Sequence, residues 1–287
     1  MKYVSGRNNL AATIFVPFPC GNHCPFCNTA PMYDGYEYQP ECLEKMLDSI
    51  RLCNGVDAIS EFVITGGEPI MELDVLKEII DACEKPVFIN TSLPAVRDLD
   101  EVIDYFNHND KIRGINISRH IGQEHSVAVA SKDVIDRIEK PIRINCLVLD
   151  SMLGDRLLEY IDIWTGAYRM VNLRADYRNI TYDTLKNRDK VSNWLLDHFR
   201  YEGSNNCLVC NSEFFSDDDC KVVCYHRGMQ FSSVRTSHYT YINDVIIDIY
   251  GDIHQDWPAV WPTGPHIEWL RDDGEKFIQA LKNNKLS

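Results

Sequence analysis

From residue 10 to about residue 176, short runs rich in β-branched and aromatic residues alternate with amphipathic stretches, and this alternation limits the fold more than any other feature. Strands are expected over 12–16, 61–65, 86–91, 113–118, 142–149 and 170–174. Between them Leu43, Met46, Leu47 and Ile50, then Leu76, Ile79, Ile80 and Cys83, then Leu99, Val102, Ile103 and Phe106 recur at spacings that place each set on one helix face. Val134, Ile135 and Ile138 mark a fourth helix, and Leu157, Tyr160, Ile161 and Trp164 a fifth. Repeated strand–helix units with right-handed crossovers make an α/β fold with a parallel sheet and outer helices. The alternation alone does not separate an open, doubly wound sheet from a partial barrel.

The expected first strand runs into Pro19-Cys-Gly-Asn-His-Cys-Pro-Phe-Cys-Asn28, so Cys20, Cys24 and Cys27 share one tight loop beyond a strand end. Three thiolates at this spacing can hold three irons of a cubane cluster and leave the fourth iron open; three cysteines can also simply pack a turn. The second expected strand ends in Thr65-Gly-Gly-Glu-Pro69, where Gly66 and Gly67 allow a close backbone approach. Ligand chemistry in parallel α/β folds collects at such strand ends.

The CxxxCxφC loop, with Phe26 before its last cysteine, together with the GGEP turn, resembles the radical S-adenosylmethionine (radical SAM) superfamily over about residues 11–177. The resemblance implies a partial (β/α)6 barrel whose [4Fe-4S] cluster is held by Cys20, Cys24 and Cys27. It implies reductive cleavage of S-adenosylmethionine to a 5′-deoxyadenosyl radical that abstracts hydrogen from a substrate. It assigns cofactor contacts to Phe26, Gly66, Gly67 and Glu68, to Ser118 on the fourth strand and to Asn145 on the fifth. Arg174, Arg119 and His120 are weaker candidates near the strand ends. Similar enzymes take electrons from flavodoxin or ferredoxin.

Residues 1–200 are expected to form the barrel core and 201–287 a cysteine-containing extension that caps it. Within the extension, Cys207, Cys210, Cys220 and Cys224, with His226 nearby, suit zinc, an auxiliary iron–sulfur cluster or unligated thiols. Asp244–Ile249 and the residues after Gly251 read as a strand pair, followed by a helix near 266–281. His254, Asp256 and Trp257 are candidates for a lid. Cys42, Cys53, Cys83 and Cys146 are expected in the core.

Eleven cysteines, no apolar run long enough to span a membrane and no signal-peptide segment at the start point to a reducing, cytoplasmic setting. A net charge of −14 without a strong basic run argues against a broad nucleic-acid surface. The expected partner is a small molecule or a peptide. A glycyl-radical activase or deazaguanine-type synthase is the alternative within enzymes, and a sensor or scaffold that binds cluster and cofactor without turnover is the alternative outside them.

Overall fold

The computed structural model describes residues 2–5, 10–22, 24–27, 29–96, 98–121, 129–168, 170–176, 187–205, 211–219, 221–227, 233–235, 239–242, 244–255 and 274–283. The chain divides into two compact units, one of Met1–Ile115, Val129–Pro141 and Phe231–Ser287, the other of Asn116–Ala128 and Ile142–Gln230.

The first unit begins with β1 (Lys2–Ser5), β2 (Leu10–Phe15), α1 (Pro40–Asn54), β3 (Ile59–Thr65), α2 (Leu73–Ala82), β4 (Val87–Thr91) and α3 (Leu99–His108). The boundary runs through β5 (Ile112–Ser118), and the short α4 (Lys132–Ile135) belongs to the first unit. Pro40 occupies the first turn of α1, where its missing N–H costs nothing, and Leu43, Met46, Ile50 and Cys53 form its buried stripe. Every residue of β2 is buried, as expected of a parallel strand covered on both faces.

The second unit contains β6 (Ile142–Val148), α5 (Asp155–Tyr168), β7 (Met170–Ala175), α6 (Lys190–His198), β8 (Arg200–Asn205), β9 (Ser212–Ser216) and β10 (Val222–His226). Their order is β6-β7-β10-β9-β8; β6, β7 and β10 are parallel, and β10, β9 and β8 continue antiparallel. Asp189 caps α6 by accepting the Ser192 N–H at 2.7 Å.

The chain then returns to the first unit with β11 (Ser233–Arg235), β12 (Tyr239–Ile242), β13 (Asp244–Ile247), β14 (Ile253–His254) and α7 (Gly274–Asn283). β13 lies parallel to β2, with Asp244 opposite Ala11 and Ile247 opposite Ile14. β2 therefore sits between β13 and β3. β12 pairs with β1 in a separate small sheet. Among the described residues, β8 to β10 thus fall in the second unit and β11 to α7 in the first. The turn at Tyr250-Gly251 closes the β13–β14 hairpin, with Gly251 at φ +77°, a left-handed conformation that suits glycine.

Candidate functional site

The cysteine loop is tied to two strand ends of the first unit by a continuous hydrogen-bond chain. The Val16 N–H extends the β2 ladder to the Thr65 carbonyl at 2.9 Å, and the loop departs from there. Cys20, Cys24 and Cys27 are all half-buried. The Cys27 N–H donates to the Cys24 carbonyl at 3.0 Å and closes the turn, while the Asn22 N–H points at Cys20 Sγ at 3.3 Å. Phe26 is buried between the last two thiols in sequence.

Burial pushes the Cys20 thiol up to about 11 against the Asn22 N–H, and the charges of Glu68, Cys24 and Cys27 push it further. Without a nearby cation this thiol is protonated at neutral pH; a bound metal would reverse that preference.

Tyr33 and Thr29 hold the loop against the Gly-Gly turn. The Tyr33 hydroxyl donates to the Val16 carbonyl at 2.8 Å and accepts the Gly67 N–H at 2.7 Å, so one phenol joins the ends of β2 and β3. Burial keeps that phenol un-ionised. The ring packs against a cluster of Phe15, Met32, Ile246 and Ile249. Thr29 Oγ1 donates to the Gly66 carbonyl at 3.1 Å and lies 3.3 Å from Cys27 Sγ. A Cβ on Gly67 would sit 2.0 Å from the Phe18 carbonyl oxygen, and one on Gly66 would sit 2.5 Å from the Tyr33 hydroxyl. What approaches both glycines is the loop and its tyrosine clamp.

Glu68 is 2% exposed, and both its oxygens are engaged. Thr91 Oγ1 donates to one; the Ser92 N–H and hydroxyl donate to the other at 2.7 and 2.6 Å. Asn22 Nδ2 reaches Ser92 Oγ at 2.8 Å and completes a path from the cysteine loop through Ser92 to Glu68. Burial raises the Glu68 carboxyl against these donors. Tyr33, Thr29, Asn22, Thr91 and Ser92 were not signalled by any motif. They act across separations from 17 to 70 residues or through a single strand end.

In the second unit, the Arg119 N–H donates to the Asn145 carbonyl at 2.9 Å, which brings the Ser118 strand end beside β6. Arg119 is 9% exposed and His120 is half-buried. The His120 Nδ1 accepts the Leu147 N–H at 3.0 Å, and burial, followed by the Arg119 charge, pushes the ring down to about 4. Tyr160 donates to the Arg119 carbonyl at 2.9 Å. Asn145 Oδ1 is buried and has no hydrogen-bond partner among the described residues. Asn172 Nδ2, on β7 and in register with Asn145, is also buried without one. Sequence reading missed Asn172, although a lone amide centred in an apolar strand is a usable signal. Arg174 lies on the same strand and is exposed.

Of the second thiol set, Cys207, Cys210 and Cys220 lie outside the described residues. Cys224 is buried with its Sγ 3.4 Å from His226 Nε2, and His226 Nδ1 is 2.7 Å from Ser212 Oγ. Among the described residues no three His, Cys, Asp or Glu side chains could hold a single metal ion. A cubane gives each cysteine its own iron, so its thiolates need not converge on one point. His254 is bound within its hairpin by Asp248 at 2.9 Å, and Asp256 and Trp257 lie outside the described residues. Cys53, Cys83 and Cys146 are buried core residues and Cys42 is half-buried. Among the described residues no helix is long and apolar enough to cross a membrane.

No family model and no curated protein matches the chain. Solved structures do. SuiB of Streptococcus suis bound to precursor peptide SuiA is 14% identical with a TM-score of 0.55, covering 97% of this chain and 65% of that one. SuiB bound to S-adenosylmethionine is 14% identical with a TM-score of 0.53, covering 97% and 64%. Native anSMEcpe with bound AdoMet is 13% identical with a TM-score of 0.45, covering 58% and 52%. The chain therefore spans about half of anSMEcpe and just under two thirds of SuiB. The likeness to SuiB shows the fold alone, an α/β fold with a parallel sheet and outer helices.

Proposed function

We propose that this protein is a radical SAM enzyme. The observation that carries the reading is the half-buried three-thiol loop, fixed to two strand ends by Tyr33, Thr29 and the Asn22–Ser92–Glu68 path. The donor set fits a [4Fe-4S] cluster: three thiols on one loop, mutually repelling when ionised, with a backbone N–H already aimed at the sulfur of Cys20. When bound, the cluster would supply one electron and an open iron for S-adenosylmethionine cleavage.

The chain's own residues would bind, orient and keep water out. Cys20, Cys24 and Cys27 would hold the cluster. Backbone carbonyls at Gly66 and Gly67 would accept from the methionyl ammonium, with Glu68 fixing the turn rather than touching the ligand. Asn145 Oδ1, an acceptor, suits a ribose hydroxyl better than a carboxylate, and Ser118 and Phe26 are the remaining assigned contacts. Cys224, with Cys207, Cys210 and Cys220, would take zinc or a second cluster. SuiB was crystallised with a precursor peptide, which favours a peptide among the substrate classes. Flavodoxin or ferredoxin would deliver the electron.

The test is anaerobic reconstitution with iron and sulfide, then dithionite and S-adenosylmethionine, with 5′-deoxyadenosine measured against the Cys20→Ala, Cys24→Ala, Cys27→Ala triple variant. Release that the triple variant loses supports the reading. A wild type that loads a cluster and releases none, with and without candidate peptides, moves the assignment to a non-catalytic sensor or scaffold.

A further inference from the structure

The strands β6, β7 and β10 have one conventional face and one unusual face. Ile144, Cys146 and Val148, then Val171 and Leu173, then Val223 and Tyr225 are all buried on the first face. Cys146 meets Tyr160 of α5, which identifies this as the helix-covered side. Alternation sends the intervening residues to the opposite side. There the register aligns Asn145 with Asn172 and Asn172 with Cys224 in one row across three strands. His226 follows Cys224 on the same side, its ring bridging Cys224 Sγ and Ser212 Oγ.

This row is polar and largely buried: Asn172 is 2% exposed, Cys224 3%, and Asn145 is half-buried. Burying an amide N–H without an acceptor is destabilising, so such groups rarely persist without a use. Here two neighbouring strands carry one unmet atom each, an acceptor at Asn145 Oδ1 and a donor at Asn172 Nδ2. Strands in register lie about 4.8 Å apart, within the span of one small planar group. A carboxylate offers no donor and an ammonium no acceptor. An amide offers both.

We propose that this row is a subsite for a neutral amide group of the substrate, with Asn172 donating to its carbonyl oxygen and Asn145 Oδ1 receiving its N–H. The second lone pair of Asn145 Oδ1 leaves room for the cofactor contact assigned above. That the amide belongs to a substrate rests on the radical SAM reading; the binding of an amide there does not.

The test uses side-chain amide signals of 15N-labelled protein, with Asn172→Asp identifying the Asn172 pair. Acetamide is the probe, acetate is the control, and S-adenosylhomocysteine is the cofactor probe. Acetamide is expected to shift the Asn172 Nδ2 protons saturably, acetate is expected not to, and S-adenosylhomocysteine is expected to leave Asn172 unmoved. Replacement by the isosteric leucine in Asn172→Leu is expected to keep or raise the melting temperature of the ligand-free protein, because it removes an unmet donor. Three outcomes overturn the proposal: Asn172 signals that acetamide does not move, Asn172 signals that S-adenosylhomocysteine does move, or an Asn172→Leu variant that melts several degrees lower or fails to fold. The acetamide result is independent of 5′-deoxyadenosine release, so failure of the enzyme reading and failure of the subsite are separable.

Discussion

The cysteine-loop end of the first unit and the β6–β7–β10 face of the second handle buried polar groups in opposite ways. Around the loop, Tyr33 uses its hydroxyl twice and Glu68 engages both oxygens. On the β6–β7 face, an acceptor and a donor are buried and unmet side by side. The first arrangement is rigid before any ligand arrives; the second becomes favourable only when something fills it. Polar atoms that are mutually satisfied hold a shape, and polar atoms left over specify an occupant.

Substitutions should therefore cost stability in the first region and little in the second. The largest effect is expected from Gly67→Ala, because its Cβ would meet the Phe18 carbonyl oxygen at 2.0 Å and the loop backbone must move. About 3 kcal/mol or more of stability should go, along with iron loading, measured by urea unfolding and metal analysis. A preserved midpoint with full iron content would show that the loop tolerates repositioning.

Next comes an acid window that tests whether the second unit also contains a satisfied element. His120 is pushed down to about 4 from 6.5, so its neutral ring stabilises the fold fully above the ordinary value. That contribution is lost as pH falls toward the lowered value, on the order of 3 kcal/mol in all. Urea midpoints at several pH values should fall over this range in the wild type and flatten in His120→Gln. An unchanged slope would remove His120 as the cause.

Tyr33→Phe should cost about 1–3 kcal/mol, since it leaves the Gly67 N–H without its acceptor while keeping the ring packed. Thermal melting reads this directly, and a loss no greater than experimental error would contradict the clamp. The smallest effect belongs to Asn145→Leu, expected to change stability by less than about 0.5 kcal/mol or to increase it. A loss as large as that of Tyr33→Phe would end the contrast between the two regions.

Much of this organisation was legible in the residues, for identifiable reasons. Apolar spacing located β2 through β7 within a few residues, because parallel strands covered on both faces read as continuous apolar runs. The cysteine loop and Gly-Gly turn were visible because their chemistry is compressed into ten and five residues. The clamp was not, since nothing local to Tyr33 or Ser92 tells which distant strand end they meet. Nor was β13 beside β2, because pairing across more than two hundred residues leaves no periodic trace. The antiparallel strands β9 and β10 were obscured by acidic and cysteine-rich surroundings, although Phe215, Val223 and Tyr225 supply buried anchors.

The parallel pairing of β13 with β2 also sets a timetable for synthesis. Asp244 leaves the ribosome 230 residues after Ile14, a delay of roughly 12–46 s at about 5–20 residues per second. Throughout that interval the strand leading into the cysteine loop has one hydrogen-bonding margin uncovered, which is a site for mispairing with other nascent chains. Overproduction at slow elongation rates is thus expected to increase insoluble protein, and chains truncated before Asp244 should be the most prone to it.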